Sequence, residues 1–184
     1  NCLSTSKAES ANFPFCTIEP NIGVINVPDE RLDQLARLVN PEKVIPTTVD
    51  IVDIAGLVSG ASKGEGLGNK FLANIRETDA IIHVLRCFDD ENITHVNGSI
   101  NPVRDKEIID MELQLKDLET LEKKRDQYLK VSKSGDKDAK FSLECIEMYM
   151  SHIKAGNFAR SISVTDEQKK IIKPLQLLTD KPVL

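Results

Sequence analysis

Hydrophobic and polar positions follow two different periods along the chain, and the period changes near residue 104. In the first part, short apolar runs predict strands at 22–27, 49–55 and 80–88. Apolar residues three or four apart predict helices at 28–41 and 69–79. The run at 80–88 is nearly continuous, which is typical of a strand covered on both faces. Because these strands alternate with helices, the pattern predicts an α/β layer architecture.

One long helical segment begins after about residue 104. Residues 105–133 contain no glycine or proline, and their apolar positions have helical spacing. A polar turn over 132–137 precedes a second helix, so the pattern predicts a helical hairpin with an antiparallel coiled-coil seam. We expect the seam to contain Ile108, Met111, Leu115, Leu118 and Leu121 or Glu122 from the first helix, and Leu143, Ile146, Tyr149 or Met150, and Ile153 from the second.

The rest of the chain carries signals for one more helix and one more strand. Thr165 and Gln168 have the spacing of a capping box, which would open the last helix. Pro174 should kink or shorten that helix, because proline has no backbone N–H to donate. Residues 181–184 (KPVL) are interpreted as the first residues of a strand.

Composition restricts the function classes without selecting one. The 184 residues, 40% of them hydrophobic, suffice for one or two domain cores. With 24 Lys and Arg against 29 Asp and Glu, the net charge is −5, which predicts no global attraction to nucleic acid but is compatible with a local basic face. No apolar run approaches the ~20 residues of a membrane span, so we expect a cytoplasmic protein without a membrane partner. The cysteines lack CxxC spacing, which predicts neither a zinc site nor a disulfide partner for Cys2, Cys16, Cys87 or Cys145.

The stretch VDIVDIAG places an acid and a glycine where an apolar strand ends. A buried strand would bring Asp53 to the edge of the sheet at which α/β proteins bind ligands. In P-loop nucleotide hydrolases, the aspartate of such an Asp-x-x-Gly motif holds Mg²⁺ through water, and the glycine N–H contacts the γ-phosphate. Here these residues would be Asp53 and Gly56. The motif alone is weak, because an ordinary strand end followed by a glycine turn has the same pattern.

Two further features favour the nucleotide interpretation. The segment after Gly56 is far richer in glycine than a simple connection needs, and glycine permits positive φ and close backbone approach to a phosphate. Thr17 lies upstream in a loop bounded by prolines, from which its hydroxyl could bind the same Mg²⁺. The alternative for Thr17 is a turn hydroxyl that hydrogen-bonds to its own backbone. The glycines in question are Gly60, Gly64, Gly66 and Gly68.

Four segments together resemble the YchF-type Obg-like ATPases, which are P-loop NTPases of the translation-factor-related class. They occur in family order along the chain: NFPFCTIEPN (12–21), DIAGLVSGASKGEGLGNKFLANIRETDAI (53–81), HVLRCFDDENITHVNGSINPVRD (83–105) and LLTDKPVL (177–184). The resemblance implies a Ras-like nucleotide domain with an inserted coiled-coil arm. It assigns 1–104 to the first part of the nucleotide domain, 105–158 to the helical insertion, and 159–184 to the return to that domain.

The same resemblance implies roles for individual residues. Thr17 becomes the Mg²⁺ ligand of switch I, Asp53 and Gly56 form the third nucleotide motif, and Gly60 to Gly68 form switch II. The family's phosphate loop, GxxxxGK[ST], is expected upstream of Asn1 and its base-reading motif after Leu184, so the nucleotide domain in this sequence is partial. We expect these residues alone to bind nucleotide weakly and to be inactive.

One position departs from the Ras pattern. Leu57 follows Gly56, where a Ras-type enzyme has the glutamine that orients the attacking water. Leucine cannot form that hydrogen bond, so slow intrinsic turnover is expected and the catalytic group stays unidentified. His83 and His95 are candidates by chemistry, but structural roles are favoured for both.

The sequence thus leads to three functional hypotheses. The first is an ATP-hydrolysing, Mg²⁺-dependent switch linked to ribosomes or other translation components. The second is a GTPase of the wider Obg group, to be distinguished by the base-reading motif. The third is a non-catalytic interaction module built on the coiled-coil arm.

Overall fold

The structure is a computed structural model that describes residues 21–54, 67–90, 92–93, 95, 98–133 and 135–184, with the side chains of 67–70 excepted. The chain divides into two compact units, Asn1–Gly56 and Leu57–Leu184. Among the predicted site residues, Thr17, Gly56, Gly60, Gly64 and Gly66 lie outside the described residues.

The first unit contains a two-stranded antiparallel sheet and one helix. Strand β1 (Asn21–Asn26) leads into helix α1 (Glu30–Val39) and then into strand β2 (Thr48–Asp53). The two strands pair from Asn21 opposite Asp53 to Asn26 opposite Thr48. Asp29 begins the helix, since its side chain accepts a hydrogen bond from the Arg31 N–H at 2.9 Å. The strand–helix–strand order predicted for this part is confirmed.

The predicted burial of strand β2 is wrong for the described residues. Four of its six residues are exposed, among them Val49 and Asp53. Burying both faces of a strand requires partners on both of its edges and layers above and below it. In the described part of the chain, β2 pairs with β1 alone.

The second unit is mainly helical. Its helices are α2 (Leu67–Arg76), α3 (Pro102–Ser132), α4 (Lys137–Lys154) and α5 (Asp166–Ile172). Asn101 caps α3 by accepting a hydrogen bond from the Arg104 N–H, and Asp136 caps α4 by accepting from the N–H groups of Asp138 and Ala139.

Helices α3 and α4 form the predicted hairpin. They run antiparallel, because Gln114 in the first half of α3 donates to the carbonyls of Gly156 and Asn157 beyond the end of α4, at 3.0 and 3.2 Å, while the end of α3 leads directly into the start of α4. The interpretation of this hairpin as an inserted coiled-coil arm, with boundaries at 105 and 158, stays a prediction.

The hydrophobic core lies between the hairpin and the segment that follows it. On α4 the predicted seam residue Leu143 is only partly buried, whereas Ile146, Tyr149, Met150 and Ile153 are all buried. They pack with residues from α3 and from the chain after 158, which extends the core beyond the hairpin: Leu121, Ala159, Ile172 and Leu177.

On α3 the predicted seam is partly wrong. Met111 is 52% exposed and Leu115 is 37% exposed, whereas the buried residues are Glu112, Leu113, Asp117 and Leu121. The buried stripe is displaced because it includes two acidic residues, which a search for apolar periodicity passes over.

The apolar run at 80–88 does not form a covered strand in the described part of the chain. Only Ile81 joins a parallel bridge, with Val183. The bridge is supported by hydrogen bonds from the Ile81 N–H to the Pro182 carbonyl and from the His83 N–H to the Leu184 carbonyl, both at 2.9 Å. Val84 is 87% exposed. The pairing agrees with the strand predicted at 181–184.

The signals around the last helix are confirmed. Thr165 and Gln168 form a complete capping box, with each side chain accepting from the other residue's backbone N–H. The α-helix ends at Ile172, and the chain continues through Pro174 as a 3₁₀ turn. No helix among the described residues is long and apolar enough to cross a membrane.

The corrected α3 stripe predicts a difference between two leucines on one helix. Leu121→Ala should lower the free energy of unfolding by about 2–5 kcal/mol, because it leaves a cavity in the core. Leu115→Ala should cost less than about 1 kcal/mol, because that side chain already contacts solvent. Urea unfolding of both variants checks this, and equal losses would favour the predicted seam over the observed one.

Candidate functional site

Asp53 is the predicted metal ligand that the structure describes. It is the last residue of β2, where Asn21 faces it across the ladder. Its side chain is exposed, and it makes no hydrogen bond or ion pair with any other described residue. No described residue therefore occupies the carboxylate. Of the predicted switch II glycines, Gly68 lies in the first turn of α2.

The donor types fit Mg²⁺. Carboxylate and hydroxyl oxygens, as Asp53 and Thr17 would supply, are the hard ligands that this ion prefers. Within the described ranges no group of three or more His, Cys, Asp or Glu side chains is arranged to hold a metal ion. Mg²⁺ does not require such a group, since it usually keeps several waters and takes one or two protein ligands.

The two histidines considered as catalytic candidates both lie near charged residues of α3. His95 Nε2 lies 3.0 Å from Asp105 Oδ2 near the start of α3, and both side chains are mostly buried. Burial lowers the pKa of His83, and the charges of Asp110 and Lys106 on α3 act on it more weakly. These contacts support the structural roles that were favoured for both.

Arg86 holds the loop that follows the 81–85 segment through hydrogen bonds, a role that the sequence did not predict. Its guanidinium donates to the carbonyls of Phe88, Asp90 and Ile93 at 3.0, 3.0 and 2.9 Å. It also lies over the Phe88 ring, 5.2 Å from the centroid. One side chain thereby fixes three carbonyls of a loop that has little regular structure.

Asp117 is a buried acid of α3 that accepts three hydrogen bonds. Its carboxylate is 0% exposed. It accepts from the backbone N–H groups of Leu178 and Thr179 at 2.7 and 2.8 Å, and from the Thr179 hydroxyl at 2.7 Å. Thr179 Oγ1 in turn accepts from the Ala159 N–H at 3.1 Å. Helix α3 is therefore bonded through one carboxylate to the turn at 178–180 and, through Thr179, to residue 159.

A second set of contacts connects this turn to the end of α2. Lys181 Nζ donates to the Arg76 carbonyl at 3.1 Å and also to the Thr78 carbonyl. A lysine at this position satisfies carbonyls that a helix end leaves unpaired. Arg76 itself donates to Thr120 Oγ1 of α3 at 3.1 Å. The end of α2, the middle of α3 and the segment 178–181 are thus hydrogen-bonded to one another.

Burial raises the pKa of Asp117 above its ordinary value. The hydrogen bonds from Thr179 and Leu178 and the charge of Arg76 act in the opposite direction but are smaller effects. The sequence contained one signal for this residue, since Asp117 lies four positions from both Leu113 and Leu121 on the buried stripe. A polar residue in such a stripe indicates a buried partner.

Comparison with known proteins gives concordant matches. The sequence profile of the family described as 50S ribosome-binding GTPase matches residues 1–133. The chain is 52% identical over 184 residues to the "Ribosome-binding ATPase YchF" of Bacillus subtilis (strain 168), covering 100% of this chain and 50% of that protein. It is 54% identical over 184 residues to the protein of the same name from Haemophilus ducreyi, covering 100% of this chain and 51% of that protein. The chain spans about half the length of the curated relatives it matches.

A solved structure agrees with these sequence matches. The "Structure of the Schizosaccharomyces pombe YchF GTPase" superposes with a TM-score of 0.75 at 39% sequence identity, covering 95% of this chain and 48% of that one. The α/β fold class predicted from the alternation of strands and helices is confirmed as the fold of a P-loop GTPase.

Removing the Asp117 carboxylate should destabilise the second unit. Asp117→Ala leaves three buried donors without an acceptor, and we expect a loss of about 2–4 kcal/mol in the free energy of unfolding. Asp117→Asn keeps one carbonyl oxygen and should lose less. Asp126→Asn on the same helix, at an exposed pair with Arg125, should change stability by less than about 0.5 kcal/mol. Chemical denaturation measures all three, and equal effects at 117 and 126 would contradict the network.

The raised pKa of Asp117 predicts a pH dependence. Between its ordinary and its raised pKa, the folded protein binds the proton more tightly than the unfolded chain does. The Asp117 contribution to stability is therefore complete below the ordinary pKa and is lost as pH rises through the raised one. The difference in unfolding free energy between native protein and Asp117→Asn should fall as pH increases from about 3.5 to 7. A difference that grows with pH would show that the hydrogen bonds outweigh burial.

Proposed function

Since the chain belongs to the family of 50S ribosome-binding GTPases, and its resemblance to the YchF-type proteins is confirmed, we propose that it supplies the switch regions of a Mg²⁺-dependent nucleotide hydrolase that binds ribosomes. The protein works in the cytoplasm, where ribosomes are. ATP is the nucleotide we propose first, because the curated bacterial relatives are named ATPases.

The observation that carries this proposal is the position and state of Asp53. The residue ends a strand, its carboxylate is exposed, and it has no partner among the described residues. It lies three positions before Gly56, as the Asp-x-x-Gly motif requires. An exposed acid that no described residue contacts at this position supports a ligand-binding role over a role in packing.

Each predicted site residue then has one task. Thr17 and Asp53 hold Mg²⁺, which when bound neutralises charge on the phosphates. The Gly56 N–H contacts the γ-phosphate, and the glycines from Gly60 to Gly68 let switch II rearrange when that group leaves. Leu57 cannot orient water, so intrinsic turnover is slow and the water is positioned by another group.

Switching is useful only if other parts of the protein respond to it. Helix α2 begins at the end of the predicted switch II segment, and Lys181 donates to the carbonyl of its last residue, Arg76, and to that of Thr78 just beyond it. Arg76 at the same end of α2 contacts Thr120 of α3. We therefore assign to the helical arm (105–158), which consists mainly of α3 and α4, the role of reporting the nucleotide state to the ribosome.

GTP is the second candidate nucleotide. The names of the relatives support both, since the curated bacterial proteins are called ATPases and the Schizosaccharomyces pombe structure is titled a GTPase. A non-catalytic module built on the helical arm is the third candidate, and it predicts partner binding that is independent of Asp53.

Asp53→Ala in the intact protein should reduce Mg²⁺-dependent phosphate release from ATP by roughly 10²-fold or more, because a charge-stabilising ligand is lost. Asp50→Ala is the matched control, since Asp50 is an exposed acid on the same strand, and it should retain activity. Parallel assays with GTP test the nucleotide preference. Equal activity in the two variants would contradict the proposed role of Asp53, and ribosome binding unchanged by nucleotide and by Asp53→Ala would favour the non-catalytic module.

A further inference from the structure

The outer end of the helical hairpin has a charge opposite to that of the rest of the chain. Residues 123–140, called the hairpin tip below, contain seven Lys or Arg and three Asp, a formal charge of +4. The other residues contain 17 Lys and Arg against 26 Asp and Glu. An acidic protein with one basic end has an electrostatic footprint for a polyanion at that end.

The lysines of the tip are available to a partner. Lys130, Lys133, Lys137 and Lys140 are exposed, and in the described part of the chain none of them forms an ion pair with a carboxylate. Two of the three nearby acids are engaged, because Asp126 pairs with Arg125 at 2.8 Å and Asp136 caps α4. The charge of these four lysines is therefore not neutralised by an ion pair among the described residues, although Lys123 and Arg125 of the tip are paired.

An aromatic side chain lies among these lysines. Phe141 is 37% exposed, one helical turn after Lys137 and directly after Lys140. Such a ring offers a face on which an unpaired base can stack, as in many single-strand and loop binders. Leu129 and Val131 at the end of α3 are also partly exposed.

The hairpin tip also lies far along α3 from Asp117, whose hydrogen bonds connect the hairpin to the 178–180 turn. Fifteen residues of α3 separate Asp117 from Ser132, which corresponds to about 20 Å of helix. A basic end that lies this far along a helical pair can enter a groove or reach a loop of a larger particle, where a flat surface could not.

We propose that the hairpin tip is a docking surface for ribosomal RNA, with its lysines on backbone phosphates and Phe141 on an unpaired base. This inference rests on the proposed ribosome binding and names the contact within it. An anionic membrane would also attract lysines, but the interspersed acids and the small apolar area favour RNA.

The test compares two triple variants of the intact protein. Lys133→Gln/Lys137→Gln/Lys140→Gln removes charge at the tip, and Lys169→Gln/Lys170→Gln/Lys173→Gln removes the same charge from exposed positions at α5. The probes are a labelled hairpin of ribosomal RNA, purified ribosomes, and vesicles of phosphatidylserine and phosphatidylcholine. Urea unfolding checks that both variants are folded.

The tip variant should bind the RNA hairpin about 10- to 100-fold more weakly near 150 mM salt, and the slope of log affinity against log salt should fall by about 2. The α5 variant should stay within about twofold of the native protein. Phe141→Ala should weaken RNA binding about fivefold or more, and Phe141→Trp should restore it.

Three results would overturn the inference, and they are separable from failure of the proposed function. If native protein binds ribosomes and the tip variant binds them equally, ribosome binding stands and the tip assignment is wrong. If the tip controls binding to vesicles but not to RNA, the surface is a membrane site. If the tip controls binding to the RNA hairpin but native protein does not bind ribosomes, the ribosomal source of the RNA and the proposed ribosome binding are both wrong.

Discussion

The second unit depends on one buried carboxylate. Asp117 is removed from water, which is unfavourable for a charged group unless donors replace the lost solvent. Three donors from Leu178 and Thr179, all within 2.8 Å, offset part of this cost, although burial still raises the pKa of the carboxyl. Because the donors include two consecutive backbone N–H groups, the acid fixes both the position and the conformation of the turn. Helix α3 cannot shift along its axis without breaking these bonds.

That fixed turn determines where the following residues lie. Lys181, two positions after Thr179, reaches the carbonyls at the end of α2, and Val183 pairs with Ile81. The hydrogen bonds of Asp117 to the 178–180 turn therefore help to position both the end of α2 and the bridge between Ile81 and Val183. If α2 moves with the nucleotide state, its movement is resisted or transmitted by this set of hydrogen bonds, since packed polar networks have discrete arrangements.

Sequence reasoning predicted the elements whose determinants are local. The capping box of Thr165 and Gln168, the end of α5 before Pro174, and the two hairpin helices all follow from neighbouring residues. It failed where burial is decided by distant residues. The apolar run at 80–88 has the composition of a covered strand, but covering requires adjacent strands, and the described residues supply one bridge. The α3 seam was misplaced because Asp117 is buried by partners 61 and 62 residues away.

The same contrast between local and distant determinants applies to the candidate site. Asp53 and Gly56 could be predicted as ligand-binding residues because the Asp-x-x-Gly motif is contiguous, and the resemblance of four segments in order made a weak motif more specific. The role of Asp117 could not be found in this way, since Leu178 and Thr179 are ordinary residues until the fold brings them to it. The sequence shows only that Asp117 lies between Leu113 and Leu121 on an apolar stripe. That position predicts a buried hydrogen-bond partner but does not identify it. A contiguous motif predicts which ligand a residue binds, whereas a polar residue in an apolar stripe predicts a buried contact whose partner only the structure supplies.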